Sequence, residues 1–494
     1  MALRFEAFGV PLVFLALRIA SVFFVRTFYE ADEYWQSLEV AHKFVFGYGY
    51  LTWEWEKGIR SYVYPVFFTI LYKLLAILQL DTATLIILLP RILQAILTAY
   101  SDICFYEWTG RRKWAVFCIA TSWFSFYMGS RTLINSFETA ISTIALSLFP
   151  WPGTGKDEKL HFLWLVGFIC IVRPTAAVMW FPLCIYHFHI TKHSWSFLIL
   201  TKYIPIGTLL LMASTVLDSL AQKSFVITFY EFFKYNIIKN VATSYGTLPW
   251  YWYMSFGLPA ILGVHLMPFL ISSLVVLKNR KIHQNELVLL GTIVFTVGVF
   301  SYLPHKEFRF LMPLLPLVLY ITSRYLAVWS RKVKTLNLVA VAFILFIGNA
   351  VPAYYLGMVH QRGSLDIMPH LREIAQKDPS NTSFLFLMPC HSTPMYSHLH
   401  INVTTRFLTC NPNFNGAEIK DDEVTEFYNS PNKWLRQHYP PNGTLPSHII
   451  TFNSLVPRIS DILSRYKTIV DVFHTEVPLS SEFGTRILVH ELQF

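Results

Sequence analysis

Long apolar runs constrain this sequence more than any other feature. Several of them reach the ~20 residues that a helix needs to cross the hydrocarbon core of a bilayer. Of 494 residues, 54% are hydrophobic and only 14% are charged, unlike an ordinary soluble domain. The sequence predicts a polytopic α-helical membrane protein with about eleven spans, at residues 8–26, 63–79, 85–107, 114–128, 132–149, 160–181, 201–217, 257–277, 286–303, 309–328 and 335–356. No small-x-small cleavage site follows the first run, which favours a retained helix over a signal peptide.

The basic residues indicate topology. The net charge is +10, but the sequence has no basic block of the kind that binds nucleic acid, so we expect no nucleic-acid partner. Lys and Arg lie at the ends of apolar segments, and by the positive-inside rule the short loops 278–285 and 329–334 face the cytosol. Four segments then lie on the opposite side: residues 27–62, residues 218–256, residues 305–310 and everything after 356. Arg111, Arg112 and Lys113 break strict alternation, so the topology of residues 63–150 stays open.

After about residue 360 the composition becomes that of a small soluble domain. Apolar runs predict strands at 383–388, 448–453, 468–473 and 486–492, with helices at 370–377 and 457–466. Strands alternating with helices favour a compact α/β domain. We therefore predict two domains, a transmembrane domain of residues 1–358 and a lumenal domain of residues 359–494.

Sequons and cysteines support a non-cytosolic C-terminal part. The three glycosylation sequons of the chain, at Asn381, Asn402 and Asn442, all lie there. Their confinement to the segment that charge counting independently sends away from the cytosol favours glycosylation. Cys390 and Cys410 lie in the same part and are predicted to pair if that compartment is oxidising. Cysteine and histidine spacing here fits no closed zinc pattern, so we expect no metal.

Acidic side chains are concentrated in the loop of residues 27–62. Asp32 and Glu33 lie there among many Tyr and Trp residues. Ionisable groups beside hydrocarbon are costly enough to indicate function, although a solvated interfacial loop is the alternative, and this loop alone leaves both open. Trp53 and Arg60, in the same loop, are candidate substrate-binding residues.

A second charged motif lies between two apolar segments. It contains His305, Lys306, Glu307 and Arg309. Lys and Arg bind phosphate oxygens through charge-assisted hydrogen bonds, and a carboxylate within reach of that phosphate supplies a general base. Together the two motifs favour group transfer from a lipid-linked phosphate. The alternative, an ion-pair cluster that anchors two helix ends, stays open. The absence of an Asp-x-Asp motif argues against a nucleotide-sugar donor.

Two stretches resemble a known family. ADEYWQSLEVAHKFVFGYGYLTWEW (31–55) and HKEFRFLMPLLP (305–316) are similar to the dolichyl-phosphate-mannose-dependent mannosyltransferases of the endoplasmic reticulum (ER). Within that family, IVRPTA (171–176), HQRGSLDIMPH (360–370) and MPCHSTPMYSH (388–398) resemble the branch that adds the third mannose of the glycosylphosphatidylinositol (GPI) anchor. Ala31 stands where the family commonly has proline, which loosens the local turn but leaves the acids in place.

The resemblance implies a GT-C fold in the ER membrane, an active site on the lumenal side and no cofactor. It also implies an inverting reaction, in which mannose passes from dolichyl phosphate mannose to a GPI-precursor glycolipid in α-1,2 linkage. By this carry-over Asp32 is the catalytic base and Glu33 its helper. Binding of the donor phosphate by Lys306 and Arg309, beside His305 and Glu307, is our inference from charge and position.

Three alternatives remain at this point. A lipid transporter would also be polytopic, but the sequence has no inverted repeats to favour it. A structural subunit would not need the acids or the intact charged motif. Another lumenal mannosyltransferase, acting on the fourth GPI mannose or on the N-glycan precursor, is the nearest rival.

Overall fold

The structure, a computed structural model, describes residues 9–154, 160–191, 193–412, 422–440 and 443–493. The chain divides into two compact units, each assembled from separate pieces of sequence. The first unit comprises the residues up to Phe23, Glu54–Val66 and Pro90–Ala353, and the second comprises Phe24–Trp53, Phe67–Leu89 and Tyr354–Phe494. The predicted domain boundary at residue 358 stays a prediction.

Helices dominate the chain up to residue 358, and α2 follows directly on a π-helical segment, Tyr34–Leu38. The first ten are α1 Val10–Phe24, α2 Glu39–Phe46, α3 Trp53–Glu56, α4 Pro65–Ile77, α5 Ala83–Trp108, α6 Lys113–Thr121, α7 Trp123–Met128, α8 Ile134–Leu148, α9 His161–Val172 and α10 Ala176–Ile190. They are followed by α11 Trp195–Leu198, α12 Ile204–Gln222, α13 Thr228–Phe233, α14 Leu258–Leu262, α15 Leu266–Lys278, α16 Gln284–Tyr302, α17 Leu315–Trp329 and α18 Thr335–Met358.

Continuous helical stretches account for the membrane-spanning part. Within the described residues, six stretches are long and apolar enough to cross a bilayer, namely Ala83–Trp108, Trp195–Gln222, Tyr253–Lys278, Gln284–Tyr302, Phe308–Trp329 and Thr335–Lys377. Four apolar helices are shorter: α1, α4, α9 and α10. The predicted polytopic class is confirmed, whereas the predicted number of about eleven spans is not.

Two of the predicted spans are interrupted. The predicted span 160–181 is two helices, because Arg173 is extended (φ −142°, ψ 100°) before Pro174. Proline disfavours helical backbone in the residue before it, which ends α9 there. The predicted span 114–128 is likewise divided at Ser122, which is extended between α6 and α7.

Charged side chains inside the first unit are paired. Arg18 is fully buried in α1, and its Nε and Nη2 donate to the Asp102 carboxylate at 2.6 and 3.1 Å. The same guanidinium donates to the Ser125 carbonyl at 2.6 Å. Arg173 forms an ion pair with buried Glu138 of α8. Removing one partner of such a pair leaves an uncompensated charge, which is strongly destabilising. These pairs therefore fix how the helices of this unit meet.

Residues 27–62 are partly helical. The π-helical segment continues as α2, which ends at Gly47 with φ of 83°. Glycine adopts this left-handed conformation at little cost, so it suits the helix end. Part of the stretch that was predicted as a loop is therefore helical.

The C-terminal part contains a five-stranded sheet in the order β2-β1-β3-β5-β4. Its elements are α19 Gly363–Lys377, β1 Ser383–Leu387, α20 Tyr396–Leu399, β2 Thr404–Phe407, α21 Glu423–Asn429, α22 Pro431–His438, β3 His448–Phe452, α23 Ser460–Leu463, β4 Tyr466–Phe473 and β5 Arg486–Leu492. β1 is parallel to β2 and β3, whereas β5 is antiparallel to β3 and β4. Buried Phe427, Trp434 and Ile449 belong to the core that packs against this sheet.

All four predicted strands are present in this sheet, which confirms the α/β C-terminal part. The strand β2 was not predicted, because its short TTRF sequence lacks a continuous apolar run. The predicted helix at 457–466 is much shorter, a 3₁₀ turn at Val456–Arg458 and α23, because the chain enters β4 at Tyr466.

Candidate active site

Asp32 and Glu33 lie at the start of the helical segment that leads into α2. Asp32 is partly exposed, whereas Glu33 is 1% exposed. The Glu33 carbonyl accepts a hydrogen bond from Ser37 Oγ at 2.5 Å, within the π-helical turn. Short π-helical turns often occur at functional sites. Of the two predicted acids, Asp32 is therefore the more exposed residue.

Glu39, which was not predicted from the sequence as a site residue, is a buried carboxylate with several donors. It is 1% exposed and accepts hydrogen bonds from the backbone N–H groups of Met395 and Ser397, at 2.8 and 3.1 Å. Ser397 Oγ donates to it at 2.5 Å. Burial raises the pKa of Glu39, and the bonds from Ser397 and Met395 oppose that rise. Glu39 thus links α2 to the residues around α20.

Further contacts join the same two segments. The Trp35 indole donates to the Thr393 carbonyl at 3.1 Å, and its ring lies 4.4 Å from the His391 ring, edge to face. His42 Nε2 lies 3.0 Å from His400 Nδ1. In the second unit, the π-helical segment and α2 are therefore held by residues some 350 positions later in the chain. No local periodicity could have revealed this.

Cys390 and Cys410 are joined in a disulfide, with their Cα atoms 5.9 Å apart. His391 Nδ1 lies 3.7 Å from Cys410 Sγ, and the ligand atoms of these three residues lie within 4.8 Å of one another. The disulfide occupies both sulfurs, so they are not available as thiolate ligands. Among the sequons, Asn381 and Asn402 are exposed, and Asn442 lies outside the described residues.

Arg60 and Trp53 occupy different surroundings. Trp53 is 9% exposed and is the last residue of Phe24–Trp53, which belongs to the second unit. In the first unit, the Arg60 guanidinium donates to Glu54 Oε1, through Nη2 at 2.7 Å and Nε at 3.1 Å. The next residues are held by Asp218, which accepts from Ser61 Oγ at 3.0 Å. Arg60 thus lies in an ordered turn.

The second charged motif forms a compact ion cluster in the first unit. Glu307 accepts from Arg309 through both Nε and Nη2, and His305 Nε2 lies 2.8 Å from Glu307 Oε1. Burial opposes the ionised carboxylate, but the charge of Arg309 and the bonds from His305 outweigh it and lower the pKa of Glu307 to about 2. The pKa of His305 is raised overall. Burial is the largest single influence and acts to lower it, but the favourable interactions, chiefly the hydrogen bond to Glu307 and the charge of that carboxylate, together outweigh burial. The cluster therefore carries fixed charges.

Lys306 has a different environment from its neighbours. It is 4% exposed, and its ammonium donates to the carbonyls of Leu248, at 2.9 Å, and Leu303. Burial lowers the pKa of Lys306. These bonds tie the motif to the preceding loop, as the anchoring alternative predicts, and the role of Lys306 toward a phosphate stays a prediction.

The cluster is also attached to neighbouring helices of the first unit. Asn135 Nδ2 donates to the Arg309 carbonyl at 3.1 Å. The Tyr253 hydroxyl accepts from the Glu307 backbone N–H at 3.3 Å. Arg173, paired with Glu138, lies 5.3 Å from the centre of the Phe310 ring. The structure therefore brings His305, Lys306, Glu307 and Arg309 together in the first unit, while Asp32, Glu33 and Trp53 belong to the second.

Residues 10–400 match the Alg9-like mannosyltransferase family. The chain belongs to that family. This confirms the predicted enzyme class, a mannosyltransferase of the membrane. GPI mannosyltransferase 3 of Drosophila melanogaster is 48% identical over 472 residues, which cover 94% of this chain and 83% of that protein. GPI alpha-1,2-mannosyltransferase 3 of Homo sapiens is 40% identical over 487 residues, which cover 97% of this chain and 86% of that protein.

Two solved structures of one protein share the fold of this mannosyltransferase. The crystal structure of ArnT from Cupriavidus metallidurans bound to undecaprenyl phosphate aligns with a TM-score of 0.57 at 11% identity, covering 97% of both chains. The apo form of the same protein aligns with a TM-score of 0.60 and covers 99% of this chain. The predicted GT-C fold class is thereby confirmed.

The buried carboxylate of Glu39 gives a prediction about this mannosyltransferase. Glu39→Gln replaces an acceptor of several N–H and O–H donors by a neutral amide with one acceptor atom. We expect a loss of about 1–3 kcal/mol of stability, seen as a lower melting temperature of the detergent-purified protein and faster protease cleavage near residue 395. Glu373→Gln is the control, because Glu373 is exposed and forms a surface salt bridge with Lys377. Equal melting temperatures for both variants would contradict the anchoring role.

Proposed function

We propose that this chain transfers mannose from dolichyl phosphate mannose to the second mannose of the GPI-anchor precursor, in α-1,2 linkage. Two relatives that are similar over nearly its whole length carry the name of GPI mannosyltransferase 3, in one case with the alpha-1,2 linkage. A lipid-linked donor is supported by the undecaprenyl phosphate bound to ArnT, which shares the fold. The observation that carries the mechanism is the partly exposed Asp32 beside the buried Glu33.

The proposed chemistry needs a single base. Asp32 takes the proton of the acceptor hydroxyl while that oxygen forms a bond to C1 of mannose. The bond between C1 and the phosphate oxygen breaks from the opposite face, so the β-linked donor yields an α-linked product. Dolichyl phosphate leaves with the electron pair, and because it is already acidic it needs charge stabilisation and no proton. Glu33 is the helper of Asp32 in this proposal: its carbonyl accepts a hydrogen bond from Ser37 in the helical turn that carries Asp32.

We propose that Arg309 supplies most of the charge that binds the donor phosphate. Glu307 holds its guanidinium in one orientation through two hydrogen bonds. His305 adds a second donor, whereas buried Lys306 contributes positive potential at longer range. Fixed donors of this kind stabilise developing charge without reorganising. Trp53 and Arg60 stay proposed contacts of the substrates.

Arg309→Gln should weaken use of the donor. A lost charge-assisted bond to phosphate costs about 1.5–3 kcal/mol, so we expect the KM for dolichyl phosphate mannose to rise by about tenfold to a hundredfold. The measurement is the transfer rate against donor concentration in microsomes. Arg486→Gln, in the exposed pair with Asp471, is the matched control. A variant that accumulates poorly but keeps the normal KM would favour the helix-anchoring alternative.

Asp32→Asn tests the base directly. The amide keeps the size of the side chain but cannot take a proton, so addition of the third mannose should fall at least a hundredfold, about the contribution of general base catalysis. Glu33→Gln should be milder. The readout is the GPI precursor in enzyme-deficient cells that express each variant: a precursor stalled at two mannoses identifies the acceptor. Full activity of Asp32→Asn with none in Glu33→Gln would assign the base to Glu33, and accumulation of an N-glycan intermediate would indicate the rival acceptor.

We propose that the enzyme lies in the ER membrane with its active site and C-terminal part in the lumen. The short basic loops at one side and the exposed sequon residues Asn381 and Asn402 support this orientation. Treatment of microsomes with an endoglycosidase should increase the gel mobility of the protein, and the double variant Asn381→Gln/Asn402→Gln should reduce that shift. An unchanged mobility together with protease digestion of the C-terminal part in sealed microsomes would reverse the orientation.

A further inference from the structure

The helix α4 has one buried apolar face and one exposed apolar face. On the buried face, Tyr72 is 0% and Leu75 is 6% exposed. On the other face, three large apolar side chains at helical spacing are 53–66% exposed, namely Ile70, Leu74 and Ile77. We call these three side chains the α4 stripe. An exposed apolar surface of this kind indicates contact with a membrane or with another protein.

The buried face attaches α4 to other parts of the second unit. The Tyr72 hydroxyl donates to the Ile86 carbonyl at 3.0 Å, and the Tyr72 ring lies 6.4 Å from the Phe46 ring of α2. Just beyond α4, the Asp81 carboxylate lies 3.9 Å from Nε2 of His400, the residue that follows α20. Asp81 therefore lies beside the C-terminal part. A span at the predicted position 63–79 would instead carry it to the opposite face of the membrane.

The lengths of α4 and α5 agree with this contact. The 13 residues of α4 rise by about 20 Å, whereas the hydrocarbon core of a bilayer is about 30 Å thick. The 26 residues of α5 rise by about 39 Å, enough for one complete crossing. The first crossing after residues 27–62 is therefore α5.

The far end of α5 lies at the face of the short basic loops. Trp108, its last residue, stacks on Tyr320 of α17 with the ring centres 4.2 Å apart. The Tyr320 hydroxyl accepts from Arg324 Nη1 at 2.9 Å, and Arg324 forms an ion pair with Glu286. Glu286 directly follows the basic loop 278–285, which the positive-inside rule assigns to the cytosol.

With α4 on one face and α5 as a single crossing, the exception to the positive-inside rule disappears. The basic residues 111–113, which follow α5, then face the cytosol. The later spans keep their predicted sides because α9 and α10 form an out-and-back pair: the ring of Phe162, at the start of α9, lies 5.0 Å from that of His187, near the end of α10. The segment predicted as one span at 160–181 thus begins a pair that returns to its starting face.

We propose that α4 does not cross the membrane but lies along its lumenal surface, with the α4 stripe inserted among the lipid chains. The lumenal side rests on the orientation proposed above, whereas the common face of α4 and the C-terminal part does not. A bilayer is favoured over a partner protein because the short turn 78–82 joins α4 directly to the spanning helix α5. Exposed Lys73 can reach the headgroups while its methylene stem stays in apolar surroundings.

This placement has a consequence for the proposed active site. The buried face of α4 contacts α2, which continues the helical segment that starts beside Asp32. An apolar helix face inserts only to the boundary between headgroups and acyl chains. The inserted helix therefore sets the height of this segment above the bilayer, where a base must meet lipid-linked substrates.

Cysteine labelling tests the face of the membrane on which Thr82 lies. Single variants at three exposed positions, Thr82→Cys, Lys113→Cys and Lys332→Cys, are treated with a membrane-impermeant maleimide in sealed microsomes, whose outer surface is cytosolic. We expect Lys113→Cys and Lys332→Cys to react directly and Thr82→Cys to react only after detergent. The unsubstituted chain gives the background from the four cysteines outside the disulfide, and glycosylation of Asn381 marks the lumenal face.

Reaction of Thr82→Cys in sealed microsomes, with a glycosylated C-terminal part, would restore α4 as a span and overturn the inference. A wrong orientation of the whole enzyme gives a different pattern. The reactivities of all three positions then invert and the C-terminal part carries no glycans, while Thr82 still shares the face of that part. Loss of mannose transfer in any variant bears on the proposed function and leaves the labelling result unchanged.

Spin labels test the lipid contact in the full chain reconstituted into phosphatidylcholine vesicles. A label among lipid chains collides with dissolved oxygen more often than with a water-soluble nickel chelate, and a label in water does the reverse. We expect preference for oxygen at both Ile70→Cys and Leu74→Cys, and preference for nickel at the control Lys467→Cys, an exposed position of β4. Preference for nickel at both stripe positions would overturn the inference. Labels that neither reagent reaches would also overturn it, because a second protein would then cover the α4 stripe.

Discussion

The cost of an unpaired charge away from water constrains this protein more than any other interaction. An isolated buried charge is destabilising by several kcal/mol, about 3–5 when one partner of an existing pair is removed. Arg18 and Asp102 meet this requirement between α1 and α5, and Arg173 and Glu138 meet it at the break between α9 and α10. Each pair can form in few arrangements of its helices. Hydrophobic burial is less selective here, because lipid tails are as apolar as the helix faces.

The cost of a buried charge also applies to Glu39 in α2. Among the described residues, the donors to Glu39 are the backbone N–H groups of Met395 and Ser397 and the Ser397 hydroxyl, with no Lys or Arg. Those donors are in place only when the chain near α20 is folded. The turn that carries Asp32 is thus held from two directions, by its own helix and by a segment that is synthesised more than 350 residues later. The base that we propose gains from such support, because its orientation must be fixed before the substrate arrives.

The charged motif around Glu307 achieves rigidity in another way. Its carboxylate forms hydrogen bonds with both the Arg309 guanidinium and the His305 imidazole. Lys306 meanwhile attaches the motif to the loop before it. A guanidinium that is already oriented gives a phosphate a binding group that needs little rearrangement. Anchoring of helix ends and the phosphate binding that we propose are therefore compatible in this motif, and the contacts of Lys306 are those of an anchor.

The sequence by itself determined the membrane class, the strands β1, β3, β4 and β5, and the two charged motifs, because these depend on local apolar runs and on side-chain chemistry. The family resemblance then supplied the enzyme class. Only the tertiary structure decided the short β2 and the difference in burial between Asp32 and Glu33. The contacts of Glu39 with Ser397 and of Asp81 with His400 also became visible only in three dimensions. In both cases the partner lies hundreds of residues away, and a contact that depends on chain folding over such a distance leaves no periodic signal in sequence.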